Sequence, residues 1–203
     1  AAVLPHSDAI RERFHEGLVK RWPGFALDDY LRSPGDLAKL ICGSEGTLVA
    51  ITAAELEVVP LPKLRGLGCV FFASIEEAME ATVSLLDLEP SAIEHIDRVL
   101  FGQTRGQLPF AEARAFLGLD TDPVESILIV ELEGDNASEL DAKLEALESR
   151  HLGSRMLTSR DPVEMGHVWN LRKAGLSLLT GCKGAAKPTA GIEDVAVPPN
   201  RLA

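Results

Sequence analysis

The sequence predicts an α+β fold in which helices layer onto a sheet, of the ferredoxin-like type. Three observations lead to this prediction. Two β-α-β units follow one another in the second part of the chain, their strands are apolar, and their helices are amphipathic. The hydrophobic content of 46 % over 203 residues also suffices for a buried core, as one large domain or two small ones.

Alternating strands and helices account for the second part of the chain. Strands are predicted where β-branched and aliphatic residues concentrate, and helices where apolar residues recur every three or four positions. Asp161 is expected to cap a long helix that runs to about Thr180 and stops at Gly181. The other predicted elements are strand 67–73, helix 75–87, strand 92–96, helix 111–117 within a loop-rich stretch at 102–122, strand 126–133, helix 137–150, strand 155–158 and strand 194–197.

The first part of the chain is predicted to hold two helices and two short strands. Apolar residues at positions 10, 14 and 18 give the first helix a four-residue spacing. Ser33 is the N-cap candidate of the second helix, which stops at Gly43. This second helix is predicted over 36–42, and strands are predicted over 47–52 and 56–59, closed by two prolines at 60 and 62. A boundary near Lys63 then divides the chain into domains 1–63 and 64–203.

The composition argues against nucleic-acid binding and against a membrane span. A formal charge of −11 repels phosphate backbones and anionic lipids. No run of about 18 apolar residues is present. Three widely spaced cysteines and five scattered histidines offer neither a disulfide framework nor metal-ligand spacing, so no metal is predicted. We expect a reducing, cytoplasmic setting, and peripheral attachment to a membrane through partners stays open.

Residues 43–47 are the first candidate binding site. Gly43 and Gly46 permit backbone angles closed to other residues, so their amides can converge on a ligand oxygen, and Ser44 and Thr47 add hydroxyl donors. Such an arrangement suits the phosphate or ribityl chain of a dinucleotide, although the charge of Glu45 argues against direct phosphate contact. The alternative is a helix-to-strand turn in which Gly43 is only the helix cap.

Trp169 and Arg172 form the second candidate site. Because they are three residues apart in a helix, they share a face, where an aromatic wall would stand beside a cation able to grip a carboxylate with two hydrogen bonds. Lys183 and Lys187 concentrate positive charge nearby in the sequence, and Lys187 precedes a short acidic strand. The alternative is that Trp169 is core and Arg172 forms a surface ion pair, with Lys187 in a solvated loop.

Four motifs, taken in order, are more specific than any one of them. They are Leu40-Ile41-Cys42-Gly43-Ser44-Glu45-Gly46-Thr47-Leu48, the stretch 56–62, Trp169-x-Leu171-Arg172 and Glu193-Asp194-Val195-Ala196-Val197-Pro198. In order and spacing they resemble the FAD-linked oxidase/dehydrogenase family of the vanillyl-alcohol-oxidase type, which includes D-lactate dehydrogenase and the flavin subunit of glycolate oxidase. The resemblance covers most of the chain and favours a binding role for residues 43–48 and for Arg172.

This resemblance implies the arrangement of domains and sites. Domain 1–63 would be the C-terminal part of an FAD-binding domain of the PCMH type, and domain 64–203 an incomplete cap or substrate domain with a ferredoxin-like fold. FAD would lie against residues 43–47. The substrate carboxylate would be bound by Arg172, beside Trp169, with help from Lys187 or, as second choice, Lys183.

The resemblance also implies an activity. The parent protein would be an FAD-dependent oxidoreductase that oxidises a 2-hydroxy acid such as D-lactate or glycolate by hydride transfer to the flavin. Its partners would include an electron acceptor or an iron–sulfur module, and its general base would lie outside this segment. The alternative function is a non-catalytic cap or association module whose apolar faces pair with another copy in a homodimer.

Departures from the family pattern are expected to have consequences. Val49 stands where the family frequently has glycine, and Phe25-Ala26-Leu27 replaces the commoner Tyr-Asn-Leu, which removes a side-chain amide. The family's first glycine-rich FAD loop and its C-terminal histidine motif do not occur in the sequence. We therefore expect a fragment of a longer dehydrogenase, which is inactive alone and binds FAD weakly or not at all.

Overall fold

The computed structural model describes residues 2–14, 24–122, 124–181, 184–186 and 195–203. These residues divide into two compact units. The first unit comprises the described residues up to Val59 together with 195–198. The second unit comprises the described residues from Pro60 to 186 together with 199–203.

The first unit contains short helices joined by extended chain. Ile10 and Tyr30 are among its buried residues. Asp36 caps the last helix, since its carboxylate accepts a 3.0 Å hydrogen bond from the amide of Ala38. The helices are a 3₁₀ turn at Leu4–His6, α1 (Ser7–Arg13), α2 (Leu27–Arg32) and α3 (Leu37–Ile41).

The second unit contains a four-stranded antiparallel sheet covered by helices on both faces. Its elements are β1 (Leu64–Phe72), α4 (Ile75–Leu85) with a 3₁₀ turn at Leu86–Leu88, β2 (Ala92–Asp97), α5 (Arg98–Gln103), a 3₁₀ turn at Leu108–Phe110, α6 (Ala111–Phe116), β3 (Ser126–Gly134), α7 (Ala137–Glu148), β4 (Arg155–Ser159), α8 (Pro162–Lys173), α9 (Gly175–Thr180) and a 3₁₀ turn at Pro199–Arg201.

The order of the strands in the sheet is β2-β3-β1-β4. The central pair β1 and β3 runs in register from Leu64 opposite Gly134 to Phe72 opposite Ser126. The strands of both β-α-β units therefore belong to one sheet, in which β3 of the second β-α-β unit lies between β1 and β2 of the first. This arrangement is the ferredoxin-like one, so the predicted α+β fold class is confirmed.

Alternate residues of the two central strands enter two separate cores, because successive side chains of a strand point to opposite faces. Val70 and Val130 face one core, which α4 and α7 cover. Cys69 and Ile129 face the other core, which includes residues of α5, α6 and α8. Both central strands are therefore buried on two sides, which explains their continuous apolar sequence.

The predicted strands of the first part of the chain are wrong. Within the described residues, 47–52 and 56–59 form no strand, and Val58 and Val59 are about 85 % exposed. Residues 195–197 likewise form no strand, and residue 194 lies outside the described ranges. β-branched composition favours a strand only where a partner strand pairs with it, and the described chain supplies none here.

Three predicted helix limits also need correction. The cap of α3 is Asp36 and not Ser33, because a carboxylate three residues later reaches the free amides of the first turn. Helix α1 ends at Arg13, and Phe14 is extended. The predicted helix 162–180 is two helices that break at Ala174, where glycine, a poor helix former, follows. Asp161 as cap and Gly181 as stop are confirmed.

Candidate functional site

Residues 43–47 form a tight turn directly after α3. The amide of Ser44 donates to the carbonyl oxygen of Ile41 over 3.0 Å, and the amide of Thr47 donates to that of Ser44 over 2.9 Å. The Thr47 hydroxyl donates to the same Ser44 oxygen over 2.6 Å. Ser44 is buried by this turn. The hydroxyl proton of Thr47 is therefore used inside the turn.

Three backbone amides of the turn remain as donors. Gly43, Glu45 and Gly46 have φ angles of +82°, +48° and +77°, in the left-handed region that favours glycine. No acceptor for their amides occurs among the residues that the structure describes, and all three residues are exposed. Three donors within four residues of chain suit the oxygen atoms of a polar ligand.

The two glycines of the turn have different surroundings. A Cβ atom at Gly43 would lie 2.4 Å from the carbonyl oxygen of Gly24, so the close approach of these chain segments requires glycine. A Cβ atom at Gly46 would meet nothing within 4 Å. Gly43 thus has a structural role in the turn, whereas Gly46 borders open space.

Helix α8 places Trp169 and Arg172 against the sheet of the second unit. Its first turn is fixed by Asp161, whose carboxylate accepts a 2.7 Å hydrogen bond from the amide of Val163. Val168 and Leu171 are fully buried in the core between α8 and the sheet. Trp169 packs against the same core and is partly exposed, and its place beside a substrate stays a prediction.

Arg172 forms an ion pair with Glu94 of β2. Its Nε atom donates to Glu94 Oε2 over 2.8 Å, and its Nη2 atom lies 2.6 Å from the same oxygen. Both side chains are 37 % exposed. The ion pair of Arg172 that was the alternative interpretation of the sequence is therefore present. It occupies one edge of the guanidinium group, and the role of Arg172 as a carboxylate-binding residue stays a prediction.

Other polar groups of β2 adjoin this pair. His95 Nε2 lies 2.7 Å from Ser126 Oγ. Burial lowers the pKa of His95; the charge of Asp97 opposes this shift, and the charge of Arg172 adds to it. The guanidinium of Arg172 is thus near enough to affect the ionisation of His95.

Several predicted site residues fall outside the described ranges. These are Lys183, Lys187, Glu193 and Asp194. Within the described residues, no group of three or more His, Cys, Asp or Glu side chains is placed to hold a metal ion. No helix of the same ranges combines the length and apolar content needed to cross a bilayer.

Glu94, the ion-pair partner of Arg172, is a residue that sequence reasoning missed. Strand 92–96 was predicted, and a period of two places Glu94 on the same side of it as Ile96, whose side chain is fully buried. An acid on the inward face of an apolar strand is uncommon unless it has a partner. That pattern indicates a cation nearby, although it does not identify Arg172 at a separation of 78 residues.

Comparison with known proteins shows the family to which this chain belongs. The profile described as "FAD linked oxidases, C-terminal domain" matches residues 61–203. The chain therefore belongs to this family of FAD-linked oxidases, and the predicted resemblance is confirmed.

Individual relatives agree with the family. The chain is 30 % identical to D-2-hydroxyglutarate dehydrogenase of Pantoea ananatis over 83 % of its length, and 27 % identical to glycolate oxidase subunit GlcD of Bacillus subtilis over 83 %. It is 28 % identical to the mitochondrial D-lactate dehydrogenase [cytochrome] of Arabidopsis thaliana, again over 83 %. The chain spans 17 %, 34 % and 28 % of the length of these three relatives, respectively.

Proposed function

We propose that the intact protein carrying this sequence is an FAD-dependent oxidoreductase that oxidises a small 2-hydroxy acid. The family match supports the cofactor, and the names of the relatives give three candidate substrates, namely D-2-hydroxyglutarate, glycolate and D-lactate. The observation that carries the proposal is Arg172, a half-exposed guanidinium on a rigid helix, in a chain with a net charge of −11. A substrate carboxylate would be attracted locally by this cation.

The second unit would bind and orient the acid. Arg172 would hold the carboxylate, Trp169 would limit the movement of α8 by packing into the core, and Lys187 or Lys183 would add a second positive charge. A carboxylate fixed by two hydrogen bonds holds the α-carbon at one position and leaves only rotation about the bond that joins them, which is a positioning contribution to the rate. FAD, when bound, supplies the acceptor for the hydride from that carbon.

The turn at 43–47 would contact FAD in the first unit. Its three exposed amides, from Gly43, Glu45 and Gly46, fit oxygen atoms of the cofactor. The charge of Glu45 fits hydroxyl or amide groups better than phosphate, because like charges repel. The open space beside Gly46 would be occupied by the cofactor. We propose accordingly that the first unit is the C-terminal part of an FAD-binding domain and the second unit a cap or substrate domain.

A matched pair of glycine variants tests the cofactor site in the intact protein. Gly46→Ala adds a methyl group to the proposed contact surface, whereas Gly35→Ala adds one at another positive-φ position, at +100°, that also has no neighbour within 4 Å. Both carry similar backbone strain. We expect the flavin content of purified Gly46→Ala, read from absorbance, to fall severalfold and that of Gly35→Ala to fall little. Equal flavin content in both variants would contradict the cofactor role.

A comparison of acids with amides tests the substrate class. The intact protein should oxidise at least one of D-2-hydroxyglutarate, glycolate and D-lactate, and should reject glycolamide or lactamide, because an amide lacks the charge that a guanidinium recognises. Arg172→Ala should lose this preference for the acid. Oxidation of acid and amide with equal kcat/KM by the wild-type protein would refute carboxylate recognition.

A second candidate function rests on exposed apolar residues of the first unit. Side chains between 48 and 59 that a soluble surface would usually cover are 41 to 85 % exposed, namely Leu48, Val49, Ile51, Leu56, Val58 and Val59. They would allow the chain to associate with a second copy of itself. Light scattering on residues 1–203 tests this: a dimer that Val58→Asp converts to a monomer supports association, and a wild-type monomer counts against it.

A further inference from the structure

We infer that Glu94 positions Arg172 for carboxylate binding, an inference that rests on the proposed function of this site. The basis is the geometry of the pair. One carboxylate oxygen of Glu94 receives both the Nε atom, at 2.8 Å, and the Nη2 atom, at 2.6 Å. The guanidinium group is planar and carries five N–H donors, so a partner on this edge fixes the direction of the whole group.

The opposite end of the guanidinium group remains for the substrate. Nη1 has no hydrogen-bond partner among the residues that the structure describes. A Cβ atom at Gly175, the first residue of α9, would lie 3.9 Å from Nη1 and 3.5 Å from the methyl groups of Leu100. A side chain at this position would therefore make ordinary van der Waals contact with Nη1, which glycine avoids. A carboxylate can bind to Nη1 and the second hydrogen of Nη2 without displacing Glu94.

Glu94 and Arg172 both lie in regular secondary structure, which favours a positioning role for the pair over a chance contact at the surface. Glu94 lies in β2, which pairs with β3 along its full length. Arg172 follows Leu171, which is fully buried in the core between α8 and the sheet. Neither end of the pair is on a loop, so the backbone positions of both residues are fixed by regular secondary structure. A site of this kind loses affinity when its supporting residue is removed.

The inference is tested by titrating oxalate, a carboxylate without a C–H bond to oxidise, into the intact protein in a calorimeter. Glu94→Ala should weaken oxalate binding about fivefold, the upper range for a partly exposed ion pair. Glu94→Gln should fall between wild type and Glu94→Ala, because its amide oxygen still accepts from Nε. The matched control is Glu125→Gln, which removes a charge from a comparable ion pair, with Arg98 at 3.0 Å.

A double variant separates positioning from a direct electrostatic effect. If Glu94 acts through Arg172, Glu94→Ala should have no further effect in an Arg172→Ala background. In steady-state assays with the best 2-hydroxy acid, Glu94→Ala should raise KM about fivefold and change kcat less than twofold. Unchanged binding in Glu94→Ala, or the same loss in both backgrounds, would overturn the inference.

The same variants distinguish failure of the inference from failure of the proposed function. If Arg172→Ala weakens oxalate binding and Glu94→Ala does not, only the positioning role of Glu94 is refuted. If Arg172→Ala binds oxalate as the wild-type protein does, the carboxylate site itself is refuted, and the positioning role with it.

Discussion

The two units of the chain use similar residues in opposite ways. In the second unit, Val70 of β1 and Leu128 and Val130 of β3 are fully buried between the sheet and its helices. In the first unit, the apolar residues of the stretch 48–59 are exposed, and the stretch forms no strand within the described residues. The difference shows that apolar and β-branched composition does not by itself produce a strand. Pairing and a covering layer decide the outcome.

Cysteine labelling offers the largest contrast between the units. Cys69 is 1 % exposed in β1, and burial raises the pKa of its thiol to about 12, whereas Cys42 in the first unit is exposed. Only the thiolate reacts, so iodoacetamide at pH 8 should modify Cys42 more than about a thousandfold faster than Cys69. Mass spectrometry of a Cys182→Ser protein measures the two rates. Comparable rates would show that Cys69 is not buried in the sheet as described.

Matched valine truncations should differ nearly as clearly. Val130 is fully buried and Val58 is 84 % exposed. Val130→Ala should lower the free energy of unfolding by about 2 kcal/mol, because it leaves a cavity. Val58→Ala should change it by no more than about 0.5 kcal/mol. Urea denaturation followed by far-ultraviolet circular dichroism measures both, and similar losses would mean that residues 48–61 are buried in solution.

Two glycines of the turn at 43–47 should differ by a smaller amount. Gly43→Ala meets the carbonyl oxygen of Gly24 and should reduce local stability by about 2 kcal/mol. Gly46→Ala bears only the cost of a left-handed residue, about 1 kcal/mol. Amide hydrogen exchange in α2 and α3 reports the difference. If Gly46→Ala proves the more disruptive variant, Gly43 is not the residue that fixes the turn.

The smallest effect concerns the pH dependence of stability that comes from the pair of Arg114 and Asp120 in the second unit. The hydrogen bond from Arg114 to Asp120 lowers the pKa of that carboxyl. A lowered pKa in the folded state stabilises the protein above the unfolded-state value of 3.8, and this stabilisation is lost as the pH falls through the folded value. The urea midpoints of wild type and Asp120→Asn should therefore differ at pH 6 and converge below about pH 4. A constant difference down to pH 2 would rule out this linkage.

Most of the second unit could be predicted because its signals are local. The apolar density of 67–73 and 126–133 predicted strands that the structure has, with small extensions, as β1 and β3. Asp161 and Gly181 likewise marked the ends of the helical stretch between them. The order of the strands followed from two β-α-β units in sequence, since few topologies accommodate them.

The rest depended on long-range contacts, which a single sequence does not reveal. Strands 47–52 and 56–59 were predicted from composition, but no described strand pairs with them. The partner of Arg172 lies 78 residues away, in a strand whose only signal was an acid on its inward face. Ser44 and Thr47 were expected to offer hydroxyl donors to a ligand, whereas the Thr47 hydroxyl closes the turn. A sequence shows the residue types and their periodicity. Which polar groups come into contact is determined by the fold.

Anaerobic reduction of the bound flavin tests the central claim, that Arg172 holds the substrate carboxylate, most directly. The rate of flavin bleaching in the intact protein is measured against 2-hydroxy-acid concentration for wild type, Arg172→Ala and Arg160→Ala, a control that removes another partly exposed arginine of the second unit. With equal flavin content, wild type and Arg160→Ala should saturate at similar concentrations. Arg172→Ala should need about 10- to 100-fold more acid, the loss expected for a charge-assisted hydrogen-bonded contact. Saturation of Arg172→Ala at the wild-type concentration would contradict the account.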